Sequence, residues 1–373
     1  MKKRTSKMQP GISAQRGYAM LAIIAVLGVA ATTVVVTSLS ATAVHNEQNR
    51  KTSSALALAK QALIASAASS STRPGSLPCP DTNNDGISEP PLVTGECPSL
   101  IGRLPWQTLG LPDLRDSNGE RLWYALSQHF RDAPGNIVNS TTTGQLSITG
   151  TISEEQLAAI VFAPGAPLNE QRRDTDERRN SVSQYVESYV NTTTFSVSAA
   201  SGTYNDQLIA ISAPDIFAIT QRRVAKEVQV ALNAYYNNNG ALPGNVGYPA
   251  PALATNPACL SGDSSLCTAG TGTSGLVPGD PSPAPAYAGA ASLLAHSSSG
   301  TEDASNWFDK NNWRALVQYQ VSADCVNNGT APTLCSGTLT VNGIPNQRAA
   351  VALNVVPSAN QAVSATYSMS VQQ

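Results

Sequence analysis

The chain has 373 residues, enough for two domains that each bury a core. Charged residues are 13%, against about 25% in ordinary soluble proteins, but 41% of residues are apolar, which argues against a wholly disordered chain. No basic stripe occurs beyond residue 17, and the three histidines have no partner at metal-ligand spacing, which argues against nucleic-acid binding and a histidine-based metalloenzyme.

The N-terminal region contains a candidate membrane segment. Residues 1–17 carry a net charge of +5 and the remainder carries −7. The apolar segment 18–39 holds 22 residues without a charge, and crossing a bilayer requires about 20. Because the basic residues precede this segment, the sequence predicts a cytoplasmic N-terminus and an exported body.

Three interpretations of the segment are open. In the first, the segment is a cleaved secretory signal with Ala41-Thr42-Ala43 as the cleavage site, although its apolar run exceeds the about 7–15 residues usual for a signal. In the second, it is a plain signal anchor that is not cleaved. In the third interpretation the basic leader is removed on the cytoplasmic side, and the apolar segment remains as the first part of the mature chain.

The sequence QRGYAML at residues 15–21 resembles the leader junction of type IV pilins and of the pseudopilins of type II secretion. The resemblance implies that prepilin peptidase cuts between Gly17 and Tyr18 and that Tyr18 is then N-methylated. It also implies partners, namely other pilins or pseudopilins contacted through the N-terminal helix in the bacterial inner membrane. The family usually has Glu at the fifth mature position, where this chain has Ala22, so the resemblance favours a minor subunit.

The residues after the anchor favour a helix. Residues 29–73 contain neither Pro nor Gly. One stripe at helical spacing is formed by Leu56, Ala59, Leu63 and Ala67. The sequence therefore predicts one helix from Tyr18 to about Ser69, half in lipid and half a stalk. The alternative is an anchor followed by a separate short helix.

Six cysteines fall into three local pairs, which are Cys79 with Cys97, Cys259 with Cys267, and Cys325 with Cys335. An even number in an exported body predicts disulfides that form outside the cytoplasm, and the alternative is that some cysteines stay reduced.

Residues 81–89 form the sharpest local motif, because D-x-N-x-D-G places oxygen ligands around a tight turn. The candidate Ca²⁺ ligands are Asp81, Asn83, Asp85, the carbonyl of Ile87, and Glu89. Leu92 stands where an EF-hand loop has its last acid, so a further ligand such as Glu96 or Asp113 is required. The alternative is a polar turn that needs no metal.

Four sequence units occur twice in the same order, which predicts an internal duplication. They are the helix end and Leu-Pro at 62–78 and 231–243, W-x-A-L at 123–126 and 313–316, L-x-[I/V]-x-G at 146–150 and 339–343, and apolar runs at 157–163 and 349–356. The second copy is longer, and its Pro/Gly/Ser-rich insertion at 249–303 is expected to be a loop. Each copy predicts a helix, a loop, a strand, a hairpin and a strand.

The second copy contains the clearest signals of local structure. Asp215 is expected to cap a helix after Pro214, and Gly240 is expected to end it. Residues 313–321 have the pattern of a half-buried strand, and Asn342-Gly343 is a hairpin turn.

These features predict an α+β fold with a long N-terminal membrane and stalk helix and two pilin-like heads, each a helix packed on a short antiparallel sheet. The expected divisions are a leader at 1–17, the helix at 18–70, a first head at 71–205 and a second head at 206–373. No catalytic motif of the hydrolase, lactamase or zinc-protease type occurs, so we expect no enzyme. The expected function is a minor pilin or pseudopilin with periplasmic heads, assembled into a pilus or secretion pseudopilus. The alternative is a signal-anchored binding module, such as an adhesin, that does not polymerise.

Overall fold

The computed structural model describes residues 43–168, 170–240, 247–261, 266–279, 307–330, 332, 334–354 and 365–371. The chain divides into two units, residues 1–53 and residues 54–373. The described helices are α1 (43–69), α2 (Asp176–Arg179), α3 (Ala213–Gly240), α4 (Pro257–Ser261) and α5 (Trp307–Lys310). The described strands are β1 (Ile101–Arg103), β2 (Trp123–Leu126), β3 (Leu146–Gly150), β4 (Glu154–Ala163), β5 (Thr194–Val197), β6 (Gln207–Ser212), β7 (Tyr248–Pro249), β8 (Ser274–Leu276), β9 (Val317–Val321), β10 (Val326–Asn327), β11 (Leu339–Val341), β12 (Ile344–Gln347), β13 (Ala349–Asn354) and β14 (Ala365–Val371). The fold is α+β, as the sequence predicts.

Helix α1 buries the stripe that the sequence predicts. At most 4% of each side chain is exposed at Leu56, Ala59, Leu63 and Ala67. The helix ends at Ser69, where the sequence places its end, and Arg223 of α3 donates hydrogen bonds to the carbonyls of Ala68 and Ser70 at 2.7 and 2.6 Å. A cation here satisfies carbonyls that lack a partner within the helix.

Helix α3 begins two residues before the expected cap, so the prediction of Asp215 as the capping residue is wrong. Ser212 is the cap, because its hydroxyl accepts a hydrogen bond from the Asp215 amide at 3.3 Å. The Asp215 carboxylate in return accepts from the Ser212 amide at 2.9 Å. This reciprocal pair is a capping box with Asp in the place of Glu, and Pro214 fits inside the first turn because that turn needs no donor from it.

The first sheet is mixed. β1, β2, β4 and β6 pair antiparallel in that order, and the N-terminal half of β4 also pairs antiparallel with β3. β5 then adds to β3 in parallel, with Ile148 opposite Phe195. The expectation of a purely antiparallel sheet is wrong at this edge. The connection from residue 151 to residue 193 is long enough for a parallel return, which needs about a dozen residues.

The second sheet has the order β8-β9-β13-β14, and every neighbouring pair is antiparallel. This is the same order and the same set of directions as in β1-β2-β4-β6. Along the chain, a long helix precedes each set of four strands: α1 precedes β1-β2-β4-β6, and α3 precedes β8-β9-β13-β14. The apolar runs that begin at residues 157 and 349 lie on the corresponding strands β4 and β13. The L-x-[I/V]-x-G units do not correspond in this way, because β3 belongs to the first sheet whereas β11 pairs with β12 in a separate two-stranded sheet.

The W-x-A-L units also differ in local structure. The expected strand at 313–321 begins only at Val317, and Arg314–Leu316 is a 3₁₀ turn, whereas Trp123–Leu126 in the first copy is strand throughout. The Arg314 side chain, fully buried and paired with Asp309 at 2.6 Å, accounts for the difference, since the turn carries this charge to its partner. The hairpin turn at Asn342-Gly343 is present, and both residues have the positive φ that a type I′ turn requires. It joins β11 to β12.

The insertion at 249–303 is not a loop throughout its described part. Ser274–Leu276 is the edge strand β8, which pairs with β9. Ala252 also bridges β8 at Leu276. Gly275 permits this close approach, because a Cβ at this position would lie 2.0 Å from the carbonyl oxygen of Ala252. The composition of the segment hides the strand, since edge pairing depends on backbone groups more than on side chains.

The two predicted heads share one hydrophobic core. It joins Leu63 of α1 and Leu126 of the first sheet to Val224 of α3 and Val317 of the second sheet. A smaller cluster covers the opposite face of the first sheet, with Trp123, Phe162, Tyr185 and Phe195. The domain limits expected from the sequence stay predictions.

Candidate functional site

The expected processing site, Gly17 and Tyr18, and the apolar segment 18–39 lie outside the described residues. Among the helices that the structure does describe, none has the length and apolar character needed to cross a membrane. The anchor, the leader cleavage and the methylation therefore stay predictions.

All six cysteines pair as expected. The disulfides are Cys79–Cys97, Cys259–Cys267 and Cys325–Cys335, with Cα–Cα distances of 5.5, 4.7 and 4.6 Å. These disulfides confirm the local pairing that the spacing predicts. The prediction succeeds because each loop is short enough for its ends to meet without long-range assembly. Three disulfides of this kind are typical of a domain that folds outside the reducing cytoplasm.

The candidate calcium motif forms a hydrogen-bonded polar turn. The buried Asp81 carboxylate accepts from the backbone amides of Asn84 and Gly86 at 2.5 and 2.6 Å. Asn83 and Asp85 each accept from the amide two residues further along the chain, at 3.0 and 2.7 Å. Burial raises the pKa of the Asp81 carboxyl, while the two backbone hydrogen bonds act to lower it. These contacts define a hydrogen-bonded polar turn at residues 81–87.

Of the remaining candidates, Glu89 and the two suggested extra ligands contact other side chains, and Ile87 is exposed. Glu89 accepts from the Thr82 hydroxyl at 2.7 Å, and Ile87 is exposed, with its amide hydrogen-bonded to the Asp85 side chain. Of the two suggested extra ligands, Glu96 accepts from Gln128 at 3.4 Å. The other, Asp113, belongs to an ion-paired turn.

A cation of the protein itself stands beside the polar turn. Arg121 donates to the backbone and side-chain oxygens of Asn84 at 2.6 and 2.9 Å, and its guanidinium lies 2.9 Å from Asp113. Burial acts to raise the pKa of Asp113, but hydrogen bonds from Arg121 and Arg115 outweigh it, so this pKa lies below its usual value. In the described parts of the chain, no three acidic, histidine or cysteine side chains gather as a metal site would require. The calcium site stays a prediction, which a calcium-dependent rise in the melting temperature, absent in Asp85→Asn, would establish.

A buried guanidinium near this turn was not expected from the sequence. Arg103 of β1 is only 4% exposed and is stacked between the rings of Trp123 and Tyr185, with centroids 4.4 and 4.0 Å from its guanidinium carbon. Burial lowers the pKa of this guanidinium, since the charged form loses its hydration. The sequence signal is that Arg103 is the single charged residue in the strand-like segment IGRLPW. Charged residues are rarely buried unless they are paired, so the sequence gives little reason to expect this burial.

The Arg103 side chain lines a cavity of about 330 Å³ together with Asp81, Thr82, Trp123 and Asn180. Two guanidinium N–H groups are used, because Nη1 donates to the carbonyl of Arg121 at 3.2 Å and Nη2 to that of Arg179 at 3.1 Å. Within the described residues, neither Nε of Arg103 nor Nε1 of Trp123 has a hydrogen-bond partner.

Two carboxyl groups, Asp206 just before β6 and Glu187, lie next to each other. Asp206 is 8% exposed and accepts from the amide and hydroxyl of Ser188 at 2.8 and 2.9 Å. Burial, and then the neighbouring Glu187 carboxyl, raise the pKa of Asp206 to about 8. Glu187 itself accepts from the side chain of Gln171 and from the amide of Asn205. This arrangement holds a proton on one carboxyl near neutral pH.

Comparison with protein-family models, with characterised proteins and with solved structures gives no match to this chain. The function is therefore inferred from the residues of the chain and from their geometry.

Proposed function

We propose that this protein is a minor pilin or pseudopilin, a structural subunit of a bacterial inner-membrane assembly. Residues 18–39 anchor it, its N-terminus is cytoplasmic, and its heads lie in the periplasm or on a fibre. Prepilin peptidase removes residues 1–17, and other pilins or pseudopilins contact the N-terminal helix.

The observation that carries the proposal is the order of features along the sequence: a basic leader, an uncharged apolar segment and then a helix. The junction at Gly17 and Tyr18 is followed by 22 uncharged residues, and the described chain is helical from residue 43 to residue 69. The C-terminal part of α1 buries Leu56 and Leu63 in the core of the unit that begins at residue 54. A helix with an apolar N-terminal extension and a C-terminal half that forms part of a head is the architecture expected of a pilin.

The two similar sheet arrangements support a subunit with two heads in series. β1-β2-β4-β6 and β8-β9-β13-β14 each follow a long helix and have the same strand order. The three disulfides support export, since they persist where thiols are oxidised.

The test is intact-mass and N-terminal peptide mass spectrometry on protein from native membranes. We expect a mature chain that begins at methylated Tyr18. Gly17→Val should leave the leader attached, because the resemblance places the cut after this residue. Gly11→Val is the matched control, since it changes another leader glycine and should leave cleavage intact.

The competing functions predict other termini. A chain that begins at Val44 would mean a cleaved secretory signal and a released periplasmic protein. An intact Met1 in wild-type protein would mean a plain anchor. Either result contradicts the pilin proposal and leaves a periplasmic or surface binding module.

A further inference from the structure

The outer face of the second sheet differs in chemistry from the same face of the first sheet. In the first sheet, Trp123 of β2 stands opposite Phe162 of β4, and both belong to the apolar cluster that covers this face. In the second sheet, the corresponding strands β9 and β13 place Gln318 opposite Ala352. The apolar layer of the first sheet is thus replaced by polar side chains beside small ones.

A cavity of about 380 Å³ lies on this outer face. Strands β8, β9 and β13 form its floor, and residues 340–342 at the end of β11 form its wall. A polar outer face is ordinary for an antiparallel sheet, but here the β11–β12 hairpin stands over part of it. The volume lies within the range of small-molecule pockets, roughly 300–1,000 Å³.

The polar side chains that line the cavity are neutral. Gln318 and Gln320 are on the same face of β9, two residues apart, so their positions are separated by about 7 Å. Ser274 of β8 stands opposite Gln320, and Thr340 lies in the wall. Within the described residues, the side-chain amides of the two glutamines form no hydrogen bond. Their donors and acceptors are therefore available to a ligand.

These groups favour a ligand with several neutral hydroxyls. Among the described residues that line the cavity, none is charged, so a charged ligand would lose hydration without gaining an opposite charge. A peptide strand is disfavoured because β9 and β13 are inner strands with paired backbones, and Ala252 bridges the outer edge of β8. Amide and hydroxyl side chains both donate and accept, as sugar hydroxyls do.

We propose that this cavity binds a neutral carbohydrate. Its hydroxyl groups exchange hydrogen bonds with the side chains of Gln318, Gln320 and Thr340. Its ring lies over Ala350 and Ala352, where the small side chains leave the floor of the cavity low. This site does not rest on the proposed function, because a fibre subunit and a binding module would both present this face.

Binding is measured by saturation-transfer NMR and calorimetry on the full chain, in a detergent without a sugar headgroup. The neutral probes are lactose and N,N′-diacetylchitobiose. Their charged counterparts are lactose 6′-sulfate and chitobiose, and N-acetyl-trialanine amide is a neutral control without hydroxyls. We expect at least one neutral sugar to bind, and its charged counterpart to bind at least about tenfold more weakly. Comparison of the two neutral sugars shows whether hydroxyls alone or acetamido groups are recognised.

Two variants test the position of the site. Gln320→Met keeps the length of the side chain and removes its hydrogen-bonding groups, so it should weaken binding about three- to tenfold. Ala352→Leu fills part of the cavity and should weaken binding at least about tenfold. Gln61→Met and Ala218→Leu make the same changes at exposed helix positions that do not line the cavity, and their affinities should equal that of the wild type.

Three outcomes would overturn the proposal. The first is that neither neutral sugar binds at concentrations up to about 10 mM. The second is that wild type, Gln320→Met and Ala352→Leu bind equally, which would place the site elsewhere. The third is that a charged sugar or the peptide binds more tightly than both neutral sugars. Melting temperatures of all variants identify any loss of fold, and Gln320→Met, at an exposed position, remains informative if Ala352→Leu does not fold.

Discussion

Replacing Asp206 by Asn should make the protein more stable at neutral pH. Asp206 is buried beside the Glu187 carboxyl, and its pKa is raised to about 8. The native state therefore keeps a proton between about pH 4 and pH 8 that the unfolded chain, with an ordinary carboxyl pKa, has already released. Because the native state binds more protons across this window, the free energy of unfolding falls as the pH rises. An amide in this place can still accept from Ser188 and can donate to Glu187.

The magnitude follows from proton linkage. One fully retained proton lowers the free energy of unfolding by about 1.4 kcal/mol for each pH unit. The proton belongs to the pair of carboxyl groups, so we expect between half and all of this slope from Asp206. From pH 5 to pH 7 the wild type should thus lose about 1.4–2.8 kcal/mol relative to Asp206→Asn.

The assay is urea unfolding followed by tryptophan fluorescence at pH 5, 6 and 7. Asp113→Asn is the control, because Arg121 and Arg115 keep the pKa of Asp113 below its usual value. Asp113 is ionised in both states from pH 5 to 7, so its replacement should lower stability equally at each pH. If the curves of wild type and Asp206→Asn are parallel over this range, Asp206 does not retain a proton and the reasoning is wrong.

Three further substitutions test the packing of the helices and of the insertion. Leu63→Ala should lower the free energy of unfolding by about 2–5 kcal/mol, because Leu63 is fully buried, whereas Leu58→Ala, at a 40% exposed position of the same helix, should cost well under half of that in the same urea titration. Ser212→Ala should cost about 1 kcal/mol through loss of the α3 cap, and Ser181→Ala should have no such effect, since the Ser181 side chain makes no capping bond. Gly275→Ala should lower the melting temperature, because its Cβ would collide with the carbonyl oxygen of Ala252 at 2.0 Å, and an unchanged melting temperature would contradict the close approach of Ala252 to β8.

Some features of the described chain were predictable because they depend on local patterns. The buried stripe of α1 follows from apolar residues at helical spacing, and Leu63 lies where that spacing places it. The disulfides followed from short separations. The turn at Asn342-Gly343 followed from the ability of both residues to adopt positive φ.

The sequence alone also predicted two similar arrangements, because the repeated units keep their order along the chain. It could not show that both share one core, which joins Leu63 to Val224 and Val317 across large separations. The sequence analysis misplaced the cap of α3, because Ser212 and Asp215 are both good capping residues. The choice depends on where β6 ends, and β6 ends at Ser212, directly before the helix. Sequence patterns also missed β8, whose pairing depends on backbone groups.

The surroundings of the buried Arg103 were determined by tertiary structure. Arg103 and Trp123 are twenty residues apart and meet because β1 pairs antiparallel with β2 at those positions. Tyr185 comes from a later segment and closes the other side of the guanidinium. The disulfides and the buried stripe of α1 depend on neighbours in sequence, so the sequence determined them. A buried charge with unpartnered donors depends on which distant segments surround it, and only the folded chain decides that.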